Sequence, residues 1–228
     1  MKNYIKMIVL SIIGLIPLTE LNAQDLKNSL NEMREAYEQM TDLHIKMDVK
    51  AYASKELKEE MYSLAVDIKK KGDNYLYNYG GNAMLMNDRY LIMVDGSAKE
   101  MVCSKRANID ENMMASAFQF NLDSILSFYE EPVFLRSEGA IDQFKVNQKE
   151  GPVSELYLSI NSNTKMLTQI AYLYRQGAYV RIDFKLFDGH AKLSDQMFNE
   201  TNFIRLDDGK LSASAAYKGY HFVETTSN

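Results

Sequence analysis

The sequence has 228 residues, of which 46% are hydrophobic and 25% are charged, with 3 Pro and 11 Gly. This composition excludes a collagen, a mucin-like stalk and a disordered tail. The formal net charge of −5 and the lack of a long basic run argue against nucleic-acid binding, and a single Cys excludes an internal disulfide.

The first 23 residues predict an export signal. Lys2 and Lys6 precede an apolar run, Met7–Leu18. Ala23 places a small residue directly before Gln24. This order of basic, apolar and small-residue parts is typical of a secretory signal peptide. The apolar run is shorter than the ~20 residues that cross a bilayer, although an uncleaved N-terminal anchor is the alternative. We expect cleavage near Ala23/Gln24, a periplasmic location and a mature protein that is not integral to the membrane.

The mature chain opens with a predicted helix over 25–41, because apolar residues recur there at spacings of three and four. The period then changes to two, which is typical of strands with one buried face. A helical turn is predicted at 192–198. The predicted strands are 43–51, 62–70, 75–79, 83–87, 90–94, 100–105, 133–136, 143–147, 155–160, 166–174 and 178–187, with closing segments near 203–206 and 217–224.

Residues 108–131 interrupt this pattern and predict one or two short helices that end before Pro132. Tight connections between the strands favour an antiparallel meander. Each strand has one apolar face that needs a cover, and the N-terminal helix and the helical insertion are the available covers. We therefore predict one mainly β (α+β) domain over 24–228. Its strongly curved antiparallel sheet has about 10–11 strands and is covered by these helices.

Three stretches of the sequence resemble one known family: 66–102, 156–187 and 193–204. Their order of strands, glycine turns, an aromatic strand and a short helical turn is similar to that of the LolA-like periplasmic lipoprotein carriers. The resemblance implies a half-barrel of about eleven strands with a helical lid, and it implies that an acyl chain or a similar lipid is carried.

Methionine is concentrated in one region, since six of the 14 Met lie between positions 84 and 114. Met is flexible and polarizable and suits pockets for ligands of variable shape, with ordinary core packing as the alternative.

Tyr75 and Tyr77 suit either a binding surface or sheet stabilisation. The insertion is either a static plug or a moving lid. The predicted ligand-binding residues are Met47, Val49, Leu64, Val66, Tyr75, Tyr77, Met84, Met86, Met93, Met101, Met113, Met114, Phe118 and Phe120.

The sequence carries no pattern that favours catalysis. Its three His are far apart, without the spacing of a zinc site. Ser162 and Lys165 match an S-x-x-K spacing, but they fall in a predicted turn and lack the companion motifs. Cys103 is expected to be buried and inert. We therefore predict a protein that is not an enzyme and that has no metal and no cofactor.

Two functions remain open at this stage. The first is an exported soluble binding protein that holds an acyl chain or another apolar ligand in a concave Met- and aromatic-lined groove, with a lipid or an acylated protein as partner. The second is a non-catalytic envelope interaction or assembly module, in which the sheet is permanently plugged and one face binds an envelope protein.

Overall fold

The computed structural model describes residues 19–108 and 130–225, and in these ranges the protein is mostly β-structure with one α-helix. The helix, α1, spans Thr19–Glu38. The strands are β1 (Asp42–Tyr52), β2 (Glu60–Lys71), β3 (Asn74–Tyr79), β4 (Asn82–Met86), β5 (Tyr90–Asp95), β6 (Glu100–Lys105), β7 (Val133–Glu138), β8 (Ile141–Asn147), β9 (Val153–Asn161), β10 (Met166–Tyr174), β11 (Tyr179–Asp188), β12 (Ile204–Asp207), β13 (Lys210–Ala213) and β14 (His221–Thr225).

Twelve of the described strands form one open sheet, while β12 and β13 form a separate hairpin. Sequential strands pair from β1 to β6 and from β7 to β11, and the pairing of β1 with β11 joins the two runs. Every pair is antiparallel except β14 with β6. The predicted mainly β fold is confirmed. The sheet is slightly larger than predicted, because the last strand returns to pair with β6.

The N-terminal helix is confirmed, with shifted ends. It begins at Thr19, before the predicted start at 25, and ends at Glu38, before the predicted end at 41. It therefore runs through the predicted cleavage position, and cleavage there stays a prediction. The predicted apolar stripe is buried, since Leu26, Leu30 and Met33 all belong to the core.

The predicted insertion at 108–131 lies almost entirely outside the described residues. A 3-10 turn, Arg106–Asn108, precedes it, and the described chain resumes at residue 130. The predicted helices of the insertion, and their role as a cover, stay predictions.

The two faces of the sheet are buried in different places. We call the face that α1 contacts the helix face and the opposite one the outer face. On the helix face, α1 packs on strands β8–β10 through a core of Leu26, Leu30, Met33, Phe144, Val146, Leu156, Leu158, Ile160, Leu167 and Ile170. On the outer face, the segment after β11 packs on strands β4–β6 through a core of Ala83, Leu85, Ile92, Val94, Met101, Cys103, Ala191, Leu193, Phe198, Phe203 and Ile204.

A buried amide ties the outer-face segment to the sheet. The side-chain amide of Asn87 donates to the Phe198 carbonyl (3.1 Å) and to the Glu200 carboxylate (2.9 Å), while its oxygen accepts the backbone N–H of Tyr90 (2.8 Å). The predicted helical turn is confirmed here as the 3-10 turn Asp195–Phe198. The segment is therefore held both by apolar packing and by buried hydrogen bonds.

Candidate ligand-binding cavity

An apolar cavity of ≈ 290 Å³ lies between α1 and the helix face. The helix supplies its ceiling, and three adjacent strands, β1, β11 and β10, supply its floor. Its lining consists of apolar or aromatic side chains with one exception, an arginine. These residues are Met33, Arg34, Tyr37, Ile45, Met47, Leu167, Ile170, Tyr172, Ile182, Phe184 and Phe187.

A β-bulge brings two phenylalanines of β11 to the same face. The pairing of β1 with β11 shifts between Lys46 and Met47, so that Ile45 pairs with Phe187 and Met47 pairs with Phe184. Strict alternation would place two residues three apart on opposite faces. The extra residue of the bulge removes this conflict. The two rings lie 6.3 Å apart and widen the aromatic part of the floor.

Three tyrosines lie at or near the cavity, and of these only Tyr37 lines it. The ring of Tyr37, near the end of α1, meets Phe187 edge-on at 6.4 Å. On β3, the rings of Tyr75 and Tyr77 stack at 6.3 Å. Burial is the main cause that raises the pKa of each of these three hydroxyls, Tyr37, Tyr75 and Tyr77. All three therefore stay neutral at physiological pH.

Charge at the cavity comes from a single residue. Among the described residues that line it, only Arg34 carries a charge, and its side chain is exposed. Met33 and Tyr37 are four residues apart and share a helix side, whereas Arg34 is turned about 100° from Met33. The guanidinium group therefore belongs to the rim of the cavity and the apolar groups to its interior.

Nine of the predicted ligand-binding residues share the helix face. Unbroken antiparallel register connects them across β1–β5. They are Met47, Val49, Leu64, Val66, Tyr75, Tyr77, Met84, Met86 and Met93. Of these, only Met47 lines the cavity. The others extend the same face towards β5, where Met93 is 43% exposed.

The structure corrects the prediction for Met101. It pairs with Val94 and is fully buried in the outer-face core, beside Cys103 and Leu193. Because Val102 pairs with Met93 on the helix face, its neighbour Met101 must point the other way. We therefore leave Met101 out of the proposed site. Four more predicted residues lie outside the described residues: Met113, Met114, Phe118 and Phe120.

Sequence reasoning missed most of the cavity lining, because it followed methionine density. The alternation of β10 and β11 marks Ile170, Tyr172 and Ile182 as same-face residues, and the helix stripe marks Met33 and Tyr37. These signals identify a buried face, but they do not distinguish a cavity from a filled core. The missed residues are Met33, Arg34, Tyr37, Ile45, Leu167, Ile170, Tyr172, Ile182, Phe184 and Phe187.

Two further clefts differ in character, because charged and polar groups border them. In the larger one, of ≈ 720 Å³, Lys185 lies 3.6 Å from Asp48, and Leu64 and Val66 are among the bordering residues. The other, of ≈ 400 Å³, is bordered by Lys55 among others. Charged groups that pair with one another give no apolar enclosure, so these clefts suit an acyl chain poorly.

Groups with reactive chemistry are occupied elsewhere. Burial, then Glu224 and Glu200, raises the pKa of the Cys103 thiol to about 11, so it is protonated and inert at neutral pH. Lys165 forms an ion pair with Glu32 (2.8 Å), and the Ser162 hydroxyl donates to a backbone carbonyl.

Residues 19–108 and 130–225 contain no group of three metal-ligating side chains. Within the same ranges, no helix has the length and apolarity that a membrane crossing requires.

Comparisons with known proteins support the fold only. No family model matches the chain, and no curated protein is similar to it in sequence. Similar solved structures include an uncharacterized conserved protein from Thermus thermophilus, with 12% identity and a TM-score of 0.48 over 86% of this chain and 99% of that one. LprF from Mycobacterium bovis follows, with 12% identity and a TM-score of 0.42 over 75% of this chain and 96% of that one.

A LolA superfamily protein from Nitrosomonas europaea is also similar, with 13% identity and a TM-score of 0.34 over 75% of this chain and 97% of that one. The family that the sequence resembles is thus among the similar structures, as expected. At these identities and TM-scores, nothing about ligand, partner or activity follows from the likeness.

Proposed function

We propose that this is an exported, non-catalytic binding protein that holds one apolar chain in the cavity between α1 and the sheet. The observation that supports the proposal is the cavity itself. Ten of its eleven lining residues are apolar or aromatic, and they come from four different elements. Apolar cavities of this kind stay free of water and accept apolar guests.

The size of the cavity favours a single chain. Its ≈ 290 Å³ is about twice the ~150 Å³ of an engineered apolar cavity that binds benzene. It is near the lower end of the ~300–1,000 Å³ that is common for small-molecule pockets. Each CH₂ group buried there contributes about 0.8 kcal/mol, so a chain of moderate length binds usefully.

The remaining parts of the proposal come from the sequence. The signal peptide directs the chain to the periplasm, with cleavage near Ala23/Gln24. The sheet curves around its ligand, and residues 108–131 cover the part of the helix face beyond the cavity. There Met113, Met114, Phe118 and Phe120 join Met84, Met86 and Met93 in an extended Met- and aromatic-lined groove. The partners are a lipid or an acylated protein and the envelope protein that delivers or receives it.

The test is the binding of a fluorescent fatty acid to the delipidated mature protein. Ile182→Trp fills the cavity and should weaken binding about tenfold or more, a loss of at least ~1.4 kcal/mol. Leu206→Trp is the control, since Leu206 is 66% exposed in the β12–β13 hairpin and does not line the cavity. Equal losses in both variants would show that the effect of Ile182→Trp is not specific to the cavity. Failure of the wild-type protein to bind would refute the proposal.

One observation favours the second function, in which an envelope protein binds. β2 pairs with β1 along its length, but β3 pairs only with Val66–Lys71. In the described ranges, no strand pairs with the edge of Glu60–Ala65 that faces away from β1. In this segment, Met61 and Tyr62 are 64% and 55% exposed. A free strand edge of this kind accepts an extended segment of another protein.

Photocrosslinking in cells tests this second function. A photoreactive residue at Tyr62 should capture one envelope protein, while the same residue at the exposed Lys149 should not. Capture that is equal at both positions, or absent at Tyr62, contradicts a partner at this edge.

A further inference from the structure

We propose that the bound chain ends in an anionic head group, and that Arg34 binds this group at the rim of the cavity. The ligand class is then a single-chain amphiphile with a carboxylate or a phosphate at one end. This inference rests on the proposed function and adds the chemistry by which the site selects its ligand.

The first step is the separation of charge from apolar surface. Arg34 is the only charged residue among the described residues that line the cavity, and its side chain is exposed at the rim. An amphiphile has the same division, with an apolar chain and a charged end. An uncharged apolar guest would leave the guanidinium without a role in binding.

The second step is the absence of competing charge. The described residues that line the cavity include no carboxylate. The Tyr37 hydroxyl, one turn along α1 from Met33, has a raised pKa and stays a hydrogen-bond donor. A guanidinium group has five N–H donors in a planar fork, which can serve a bound anion in addition to a protein partner.

The third step is the shape of the site. From Ile182 to Phe187, the β11 part of the floor extends roughly 16 Å at ~3.3 Å per residue. The floor is three strands wide, or about 10 Å at ~4.8 Å between strands. A slot of these dimensions with ≈ 290 Å³ favours one extended chain rather than the two or three chains of a diacyl or triacyl lipid.

Arg34 also has an interaction within the protein. It lies before the last turn of α1, which contains no basic residue, so the helix dipole adds little to its role. Circular dichroism therefore checks that Arg34→Gln keeps the fold before its binding is measured.

The experiment compares three ligands of one chain length: dodecanoate, dodecyl phosphate and dodecanol. Each displaces a fluorescent fatty acid from the delipidated mature protein. The wild-type protein should bind at least one of the anions about tenfold more tightly than dodecanol. Arg34→Gln should lose this preference and keep its affinity for dodecanol. Lys27→Gln, an exposed cation of the same helix that does not line the cavity, should behave as the wild type does.

The outcomes separate this inference from the proposed function. If none of the three ligands binds the wild-type protein, the proposed function fails. If dodecanol binds as tightly as both anions, or if Arg34→Gln keeps the preference, the cavity binds chains but Arg34 does not select their head group. Tighter binding of dodecanoate indicates a free fatty acid, and tighter binding of dodecyl phosphate indicates a single-chain phospholipid.

Discussion

The larger buried cores of the two halves of the sheet lie on opposite faces and have different covers. Strands β7–β11 are covered on the helix face by α1, and a cavity remains between helix and sheet. Strands β4–β6 are covered on the outer face by the segment after β11, where Leu85, Ile92, Met101 and Cys103 are fully buried. One half thus encloses space, while the other is filled by side chains.

The covers also differ in how they are held. The outer-face segment is anchored by the buried Asn87 amide, which bonds to Phe198 and Glu200. The described contacts of α1 with the sheet are mainly apolar, and its ion pair between Glu32 and Lys165 joins two exposed side chains, which adds little stability. Buried hydrogen bonds fix one geometry, whereas an apolar contact can adjust to a guest. Under the proposed function, the helix half therefore holds the ligand and the outer-face core gives structural support.

The largest expected effect is a difference in the cost of truncating the same residue type in each half. Ile92→Ala removes atoms from a filled core and should cost about 2–5 kcal/mol. Ile182→Ala removes atoms that already border the cavity, so less new void is created and the cost should be about 1–2 kcal/mol. Urea denaturation followed by circular dichroism measures the free energy of unfolding of each variant. Equal costs would mean that the helix half is packed as closely as the outer-face core.

A second experiment asks whether the two halves unfold together. The Cys103 thiol is buried in the outer-face core, so a thiol reagent reaches it only when that core opens. If residues 24–228 form one cooperative domain, Ile182→Ala lowers the stability of the whole unit. A loss of ~1–2 kcal/mol should then accelerate Cys103 labelling roughly 5–30-fold under native conditions. An unchanged labelling rate in this destabilised variant would show that the outer-face core opens independently, as in two separate units.

The sequence predicts local structure well because most strands have one wet face. Alternation in β1 and β2 and the stripe in α1 are direct consequences of one-sided burial. The bulge in β11 escaped prediction, because Phe184 and Phe187 obey neither a period of two nor an obvious turn. The parallel pairing of β14 with β6 also escaped, since it depends on where a long connection returns.

The site was harder to predict than the fold. The lining of the proposed site comes from two distant parts of the sequence, 33–47 and 167–187, which meet through the pairing of β1 with β11. Long-range pairing of this kind leaves no local signal. Methionine density groups Met84 and Met93, which share the helix face with the cavity, with Met101, which lies on the outer face. Only the register with β5 decides which face Met101 takes.

The smallest expected effect concerns an ion-pair cluster on β1 and β2, next to the β1–β11 pair that joins the two runs of strands. On β2, Asp67 lies 3.2 Å from His44 of β1 and also pairs with Lys69. Burial by itself would raise the pKa of the Asp67 carboxyl. The hydrogen bonds from Lys69 and His44 outweigh burial and hold that pKa below its ordinary value. A carboxyl with a lowered pKa stabilises the folded state above its unfolded pKa of about 3.9, and this contribution is lost as the pH falls through the folded value.

Asp67→Asn removes this contribution, so the wild-type protein should be more stable than the variant at pH 6 and should lose part of that advantage by pH 3. The difference should stay below about 1 kcal/mol, because the side chain is partly exposed and solvent screens the pairs. Urea midpoints at the two pH values measure it, and Asp207→Asn, in the exposed β12–β13 hairpin, is the control. If wild type and Asp67→Asn lose stability in parallel between pH 6 and pH 3, the cluster contributes no pH-dependent stability, and the β1–β2 pair depends on its backbone pairing alone.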